Sequence, residues 1–363
     1  MRQKEHPDLI FDAIPKLYES TTKVFLTNLS QVPEQLKPPP QKFCRMYTTR
    51  PLADQLLLHM QWKGANISEQ DFHIVEDGKP FQLRLSDGRR LEAMLCAGTA
   101  LGNSLVLLIR KLQGGKLLYF YSAVQQDDLC QVIANPVFHS WIAQGTELLY
   151  LNLSGAHRPL VHVEYDEVAA GIEKLCREKN CVVRLKLPHF GYEPLVRRLG
   201  HTLLYGHIRL IGQYANSYAA LSNDLRRFEE PDYLVKVRIF ASDDFTVLTT
   251  RSERFTLLPL DLLKWSPQPT RMNLIQLCSL LRPQHIQGIV PYHATGNVPP
   301  PPEYLQRFRA SYSPQKPNAP LRGPAAALPQ AAKKVDRVIR KRGFDFLSDD
   351  DDADTTDSEW MGE

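Results

Sequence analysis

No two of the six cysteines (Cys44, Cys96, Cys130, Cys176, Cys181 and Cys278) stand in C-x-x-C spacing. That excludes a zinc knuckle and a dithiol redox site, and it predicts reduced thiols in an intracellular protein. No apolar run approaches the ~20 residues that cross a bilayer, so no membrane partner is expected. The first residues, "MRQKEHPDLIF", are too charged for a secretory signal. There is no P-loop, no G-x-G-x-x-G and no Ser–His–Asp order. "RKLQGGKLLY" reads as a hairpin turn, not a phosphate loop. From Gly343 to Glu363 there is no Lys or Arg, against nine acids.

That last absence hides the character of the rest. The whole chain of 363 residues has a formal charge of +4. With the nine terminal acids set aside, residues 1–342 carry 44 bases and 31 acids, a formal +13. A body this basic suits a polyanionic partner.

Residues 1–295 read as folded. "KVFLTNL", "LLYFYSAV", "ELLYLNL" and "CVVRLKL" are short β-rich runs bounded by turn residues. "VEDGKPFQLRLSDGRRLEAML" reads as a hairpin pair turning at "SDGR". "PLADQLLLHM", "DEVAAGIEKLCREK" and "EPLVRRLG" carry helical spacing. In the second of these, Val168, Ile172 and Leu175 share a face, with Asp166 and Glu167 at the N-terminal end. Interleaved strands and helices predict an α/β or α+β sandwich. Residues 299–330 hold nine of the 27 prolines, which predicts a linker over 296–330. Lys333, Lys334, Arg337, Arg340, Lys341 and Arg342 then form a basic cluster, either a nuclear-localisation signal or a solvated run. The acidic end (331–363 with the cluster) cannot bury a core and is expected to be disordered. Within it, Ser348, Thr355, Thr356 and Ser358 suit an acidophilic kinase. "GFDFL" is a short apolar island that could dock on a partner.

One set of motifs carries a resemblance. "IFDAI" supplies Asp12, and "VFLTNLSQVPE" follows. Later come "CAGTALGNSL", "LLYFYSAV", "LYLNLSG" and "WSPQPTRMNLIQLCSLLRPQHIQGIV". In order and spacing these resemble the DNA-repair metallo-β-lactamases, the Apollo and Artemis group of β-CASP nucleases, over about residues 10 to 291. That family opens with an Asp-bearing strand and then F-L-T-H-x-H-x-D-H. Here Phe25, Leu26 and Thr27 match, but the four ligand positions are Asn28, Ser30, Val32 and Pro33. Thr99 stands where a ligand His would be, with Gly102 kept. Ser122 and Asn152 replace two Asp residues, and Gln268 replaces a later His. Zinc takes imidazole, thiolate or carboxylate donors. The departures fall on chemical positions, while the flanking apolar residues remain.

The resemblance implies a metallo-β-lactamase αββα sandwich with an inserted β-CASP-like subdomain and a disordered C-terminal tail. The expected divisions are 1–152 and 246–295 for the two parts of the sandwich and 153–245 for the insertion. It also implies a fold kept after its hydrolytic chemistry was lost, with no metal cofactor. The function expected is a catalytically inactive nuclear subunit. It would bind DNA or act as a scaffold in genome maintenance, at telomeres or damaged DNA, with nuclear protein partners. Two rivals stand. One is an active, divergent 5′-exonuclease in interstrand crosslink repair or end processing, with zinc held by other residues. The other is a protein-only interaction module.

Two further groups have open readings. "VHVEYDE" puts His162, Glu164 and Asp166 at alternate positions, either a metal-binding strand face or a solvated edge. "LKLPHFGYEPLVRR" gathers Lys186, His189, Tyr192, Arg197 and Arg198. Basic and aromatic groups together grip phosphates and stack on bases, or they form the charged outside of an ordinary helix. Lys186, Arg197 and Arg198 are the DNA-binding candidates.

Overall fold

The computed structural model describes residues 1–3, 5–32, 36, 38–99, 101–111, 115–122, 136–143, 145–157, 165–179, 182–203, 207–212, 218, 235–241, 246–251, 254–257, 267–289 and 300–310. The fold is mixed α/β. Its first sheet is wholly parallel, in the order β1 (Leu9–Phe11), β2 (Lys23–Phe25), β3 (Arg45–Thr48) and, after helix α1 (Arg50–Trp62), β4 (Phe72–Ile74). A mostly antiparallel run follows: β5 (Phe81–Arg84), β6 (Arg90–Ala97), β7 (Leu105–Lys111) and β8 (Lys116–Phe120). Helix α2 (Pro136–Ala143) then leads to β9 (Leu148–Leu151), which pairs parallel to β8.

At this point the chain leaves the sandwich and builds a third sheet. It contributes α3 (Tyr165–Lys179), β10 (Val182–Leu187), α4 (Glu193–Leu203), β11 (Ile208–Leu210), β12 (Val237–Ala241), β13 (Thr246–Arg251) and β14 (Arg254–Leu257). Their order is β11-β12-β10-β13-β14. Helix α5 (Arg271–Leu281) brings the chain back, and β15 (His285–Gly288) docks parallel beside β9. The third sheet is thus an insertion between two neighbouring strands. A boundary at 245/246 does not hold: β13 pairs with β10 through Val182↔Thr250 to Lys186↔Thr246, so the insertion runs at least to Leu257.

Strand alternation explains the layers. Phe11, Phe25 and Tyr47 of the first sheet meet Tyr119 and Phe81 of the second. On β6 and β7, Leu91, Ala93, Leu95, Leu107 and Ile109 join this core. The intervening Met94, Cys96, Val106 and Leu108 join another, covered by Phe138 and Trp141 of α2 and by Leu274, Leu277 and Leu281 of α5. On the far side of the first sheet, α1 packs Leu52, Leu56 and Met60 at helical spacing. The layers therefore run helix, sheet, sheet, helix. The insertion has its own core, in which α3 and α4 lay Val168, Ile172, Leu195, Val196 and Leu199 on Val183, Leu185, Leu187, Val237 and Ile239. Such separate apolar clusters are how independent packing units form.

The body extends past the expected end at 295. Residues 303–306 form helix α6 (Glu303–Gln306), and Leu305 is wholly buried with the α2 and α5 core. The Tyr304 hydroxyl donates to the Ala156 carbonyl at 2.7 Å, and the Arg309 Nε donates to the Gln284 carbonyl at 2.6 Å. Proline richness misled here. Pro300 and Pro301 lead into the helix and Pro302 takes its N-cap position, where proline's missing N–H costs no intrahelical hydrogen bond. The acidic end and the basic cluster at Lys333–Arg342 lie outside the described residues.

Candidate functional site

Five of the eight expected ligand positions meet in one cleft. Asn28 and Ser30 come from the loop after β2, Thr99 from the β6–β7 loop, Ser122 from the end of β8, and Gln268 from the segment before α5. These positions follow strand ends, where the crevices of α/β folds lie. The cavity holds about 200 Å³ and is also lined by Asn103, Ser104, Tyr121, Gln55 and the turn Phe190–Pro194 of the insertion. Asn152 stands behind it: its Oδ1 accepts from Ser154 N, and Ser154 Oγ donates to Gln268 Oε1 at 3.0 Å. Val32 does not reach the cleft. It is wholly buried in the sandwich core, as its apolar side chain requires. Pro33 lies outside the described residues.

The cleft loop hangs from Asp12. This buried carboxylate accepts from Thr27 N (2.6 Å), Thr27 Oγ1 (2.6 Å) and Asn28 Nδ2 (2.8 Å). Asn28 Oδ1 in turn accepts from Ser30 Oγ at 2.6 Å. Asp12 has φ of 47°, a left-handed conformation that Asp tolerates better than most residues. Burial pushes its carboxyl above the usual range, and the Thr27 hydrogen bonds pull it back. Across the cleft, Thr99 Oγ1 and Asn103 Oδ1 lie 3.1 Å apart, so the hydroxyl donates to the amide oxygen. Gly102 has φ of 69° and closes this turn by donating to the Thr99 carbonyl at 3.0 Å. A side chain there would be strained.

Glu193 ties the insertion to the sandwich. It has no exposed surface, although it sits in the first turn of α4. Its Oε1 accepts from Gln55 Nε2 of α1 and its Oε2 from Gly191 N, both at 2.8 Å. Burial raises its carboxyl to about 7, with hydrogen bonds from Gln55, Gly191 and Asn103 opposing. One turn along α1, His59 meets His189 with ring centroids 4.3 Å apart and Phe190 at 5.0 Å. His59 is 3% exposed, and among the described residues neither of its ring nitrogens has a hydrogen-bond partner. Desolvation lowers His59 to about 3 and His189 to about 4, so both are neutral near pH 7. Sequence reading missed this seam. Its signal was two polar residues, Gln55 and His59, on the apolar stripe of α1.

The residues do not fit a pair of zinc ions. The lining offers amides and hydroxyls, which cannot neutralise two divalent charges. Its one carboxylate, Glu193, is sealed from the cleft with both oxygens engaged. Among the described residues no three His, Cys, Asp or Glu cluster as ligands. Of the "VHVEYDE" set, Asp166 stands in the first turn of α3, not on a strand, and is 2.8 Å from Arg198 Nε. His162 and Glu164 lie outside the described residues.

The three DNA-binding candidates do not form one group. Val183, Leu185 and Leu187 of β10 face the helices, so Lys186 points to the opposite face of the sheet from α4. Arg197 is half-buried on α4, and Arg198 is exposed but paired with Asp166. The structure instead aligns residues the sequence reading passed over. Arg209 of β11 sits opposite Arg238 of β12, which sits opposite Arg184 of β10. All three are half-buried on the face away from the helices, and Lys186 lies two residues beyond Arg184. The sequence signal was a recurring tripeptide: Val183-Arg184-Leu185, Ile208-Arg209-Leu210 and Val237-Arg238-Ile239.

No protein-family model matches the chain, and no curated protein does. Among solved structures it is similar to an isothiocyanate hydrolase from Delia radicum gut bacteria, at 14% identity and a TM-score of 0.24. That match covers 42% of this chain and 59% of the hydrolase, less than two thirds of its length. Zn(2+)-bound PqqB from Methylobacterium extorquens is 12% identical with a TM-score of 0.24, over 66% of this chain and 82% of that one. A flavo di-iron protein variant from Thermotoga maritima is 13% identical with a TM-score of 0.18, over 75% of this chain and 70% of that one. Likenesses of this depth carry no statement about activity.

Proposed function

We propose that this protein is a metallo-β-lactamase-fold relative of the β-CASP nucleases that binds nucleic acid without cutting it. In this reading it is a nuclear DNA-binding or scaffold subunit in genome maintenance, and the basic cluster at 333–342 directs it there. Support for the family comes from the motif order, the helix–sheet–sheet–helix layering and the insertion between β9 and β15. Support for the missing hydrolysis comes from the donor chemistry of the cleft, whose described amides and hydroxyls could not neutralise the metal pair that would activate water.

The observation that carries nucleic-acid binding is the row Arg209–Arg238–Arg184, in register across three adjacent strands. Neighbouring strands lie ~4.8 Å apart, so the row sets out positive charge at short, regular intervals. Like charges directly opposite one another cost stability. A phosphate backbone lying along the row would offset that cost. The guanidinium groups also have contacts within the protein, including Arg184 over the Phe240 ring at 6.0 Å. Such contacts pre-orient them.

The test is fluorescence anisotropy with single- and double-stranded oligonucleotides across a salt series. Non-specific affinity of ~10⁻⁴–10⁻⁶ M at physiological salt is expected. Removing two phosphate contacts with Arg184→Ala and Arg238→Ala should flatten the log–log salt slope by ~1.5–2. No binding at low salt by the full chain, or equal binding and slope in the double variant, would sink the reading.

A further inference from the structure

The cleft is an odd remnant. A hydrolytic centre that has merely decayed should either collapse or keep stray charges. This one is open, about 200 Å³, and among the described residues its lining holds no Lys or Arg. The one acid among those residues, Glu193, has no exposed surface. Neither a phosphate nor a metal cation finds a counter-charge there.

What the space offers is hydrogen bonding without charge, beside prolines and the buried edges of aromatic residues. Many of the polar groups already serve one another: Asn28 with Asp12 and Ser30, and Thr99 with Asn103. The Ser104 and Ser122 hydroxyls line the space, are half-exposed, and make no side-chain hydrogen bond among the described residues. Each can donate and accept. Pro188, Pro194 and Pro267 supply apolar lining, Phe190 stays buried with its ring packed on His59 and His189, and Gln268 adds an amide. The volume is below the ~300–1,000 Å³ of pockets for drug-sized ligands. It admits one ring system, not a dinucleotide. Neutral donors and acceptors that meet a base's hydrogen-bonding edge are one way proteins hold single unstacked bases.

We infer that the cleft is a pocket for one unstacked nucleobase, recognised through its uncharged hydrogen-bonding edge. This deepens the nucleic-acid reading above and rests on it for the source of the base, an unpaired or terminal nucleotide. The arginine row holds the backbone; the cleft holds a base. Charge-driven affinity and base binding then reside in different parts of the molecule and respond differently to salt.

The experiment is calorimetric titration of the full chain with the four deoxynucleosides and, separately, with their 5′-monophosphates. The expected result is saturable binding of at least one nucleoside at millimolar concentration, insensitive to salt and no weaker than its monophosphate. Ser122→Trp, which fills the cleft, should weaken that binding at least about tenfold, a free-energy change of ~1.4 kcal/mol. Gln268→Ala, at the rim, is a second variant in case the first fails to fold. Arg184→Ala should leave nucleoside binding unchanged. No nucleoside binding at millimolar concentration overturns the pocket, as does binding that requires the phosphate. Full binding by folded Ser122→Trp or, where that variant does not fold, by Gln268→Ala also overturns it. The two readings fail separately. Oligonucleotides that bind while nucleosides do not would remove the pocket alone. Nucleosides that bind while oligonucleotides do not would remove the nucleic-acid reading and leave a nucleoside site.

Discussion

Two carboxylates are buried beside the cleft, Asp12 and Glu193, and they are held in different ways. Asp12 is served by its own surroundings. Its donors, Thr27 and Asn28, belong to the loop that leaves the neighbouring strand β2, and they fix the cleft floor. Glu193 is served partly by a distant element: Gln55 belongs to α1 of the sandwich, while Gly191 belongs to the insertion. One carboxylate shapes a loop; the other joins two packing units. The first is integral to the sandwich core. The second stands in a seam with His59 and His189, where titratable groups replace the apolar contacts of a permanent interface.

The largest effect should come from removing the first. Asp12→Ala leaves three buried donors without an acceptor, each worth ~1–3 kcal/mol. That is a large share of the ~5–15 kcal/mol that holds a domain together. Urea unfolding should show loss of most of the stability or no folded protein. Asp12→Asn, which tolerates the left-handed backbone and keeps one acceptor, should be milder. Equal stability of Asp12→Ala and the parent would erase the contrast.

A smaller effect, dependent on pH, should mark Glu193. Its carboxyl moves from 4.5 to about 7 on folding. Between these values the folded state binds more protons than the unfolded one, so stability falls as pH rises and levels off above 7. The shift corresponds to roughly 3 kcal/mol. Glu193→Gln cannot ionise, so the parent should lose stability relative to this variant from pH 4.5 to 7. A parallel pair of pH profiles would show that the seam does not hold the carboxyl as described.

The smallest effect at pH 7 is at His59, whose influence falls on the acid limb instead. Its folded value, about 3, is lowered from 6.5, so its contribution is complete above 6.5 and is lost as pH falls toward 3. His59→Phe removes two unpartnered nitrogens and keeps the ring against Phe190. Stability at pH 7 should change by no more than ~1 kcal/mol, and the acid limb of the stability profile should lose the slope of about one proton. An acid limb as steep as the parent's would contradict this account.

Much of the fold was legible because its signals are local. The "SDGR" turn lies between β5 and β6, paired through Arg84↔Arg90, and the two ends of "RKLQGGKLLY" lie on β7 and β8, paired antiparallel through Arg110↔Lys116. Val168 and Ile172 do share a buried face, with Leu175 partly buried beside them. Cleft positions scattered from Asn28 to Gln268 were legible only through the motif resemblance, since no local pattern joins them. The seam left only a faint mark, Gln55 and His59 on the apolar stripe of α1, with nothing to say what they meet. Gln55 and Glu193 are far apart in sequence, and their pairing depends on how the insertion seats. Lys186 was grouped with Arg197 and Arg198 because they are close in sequence, yet a strand's alternation sends it to the other face.

The pairing of β15 with β9 sets the order in which the molecule can be made. His285 meets Leu148 only after the whole insertion has been synthesised. Until then β9 is an edge strand whose backbone groups on one side lack a neighbour, a template for pairing with another chain. Closing a long flexible loop is entropically costly before any contact repays it. An insertion that folds first, around its own apolar cluster, brings its two ends together and shortens the effective loop. The sandwich is therefore expected to finish last, with β15 and then Leu305 sealing it, and nascent chains ending before residue 285 should be the ones that need a chaperone.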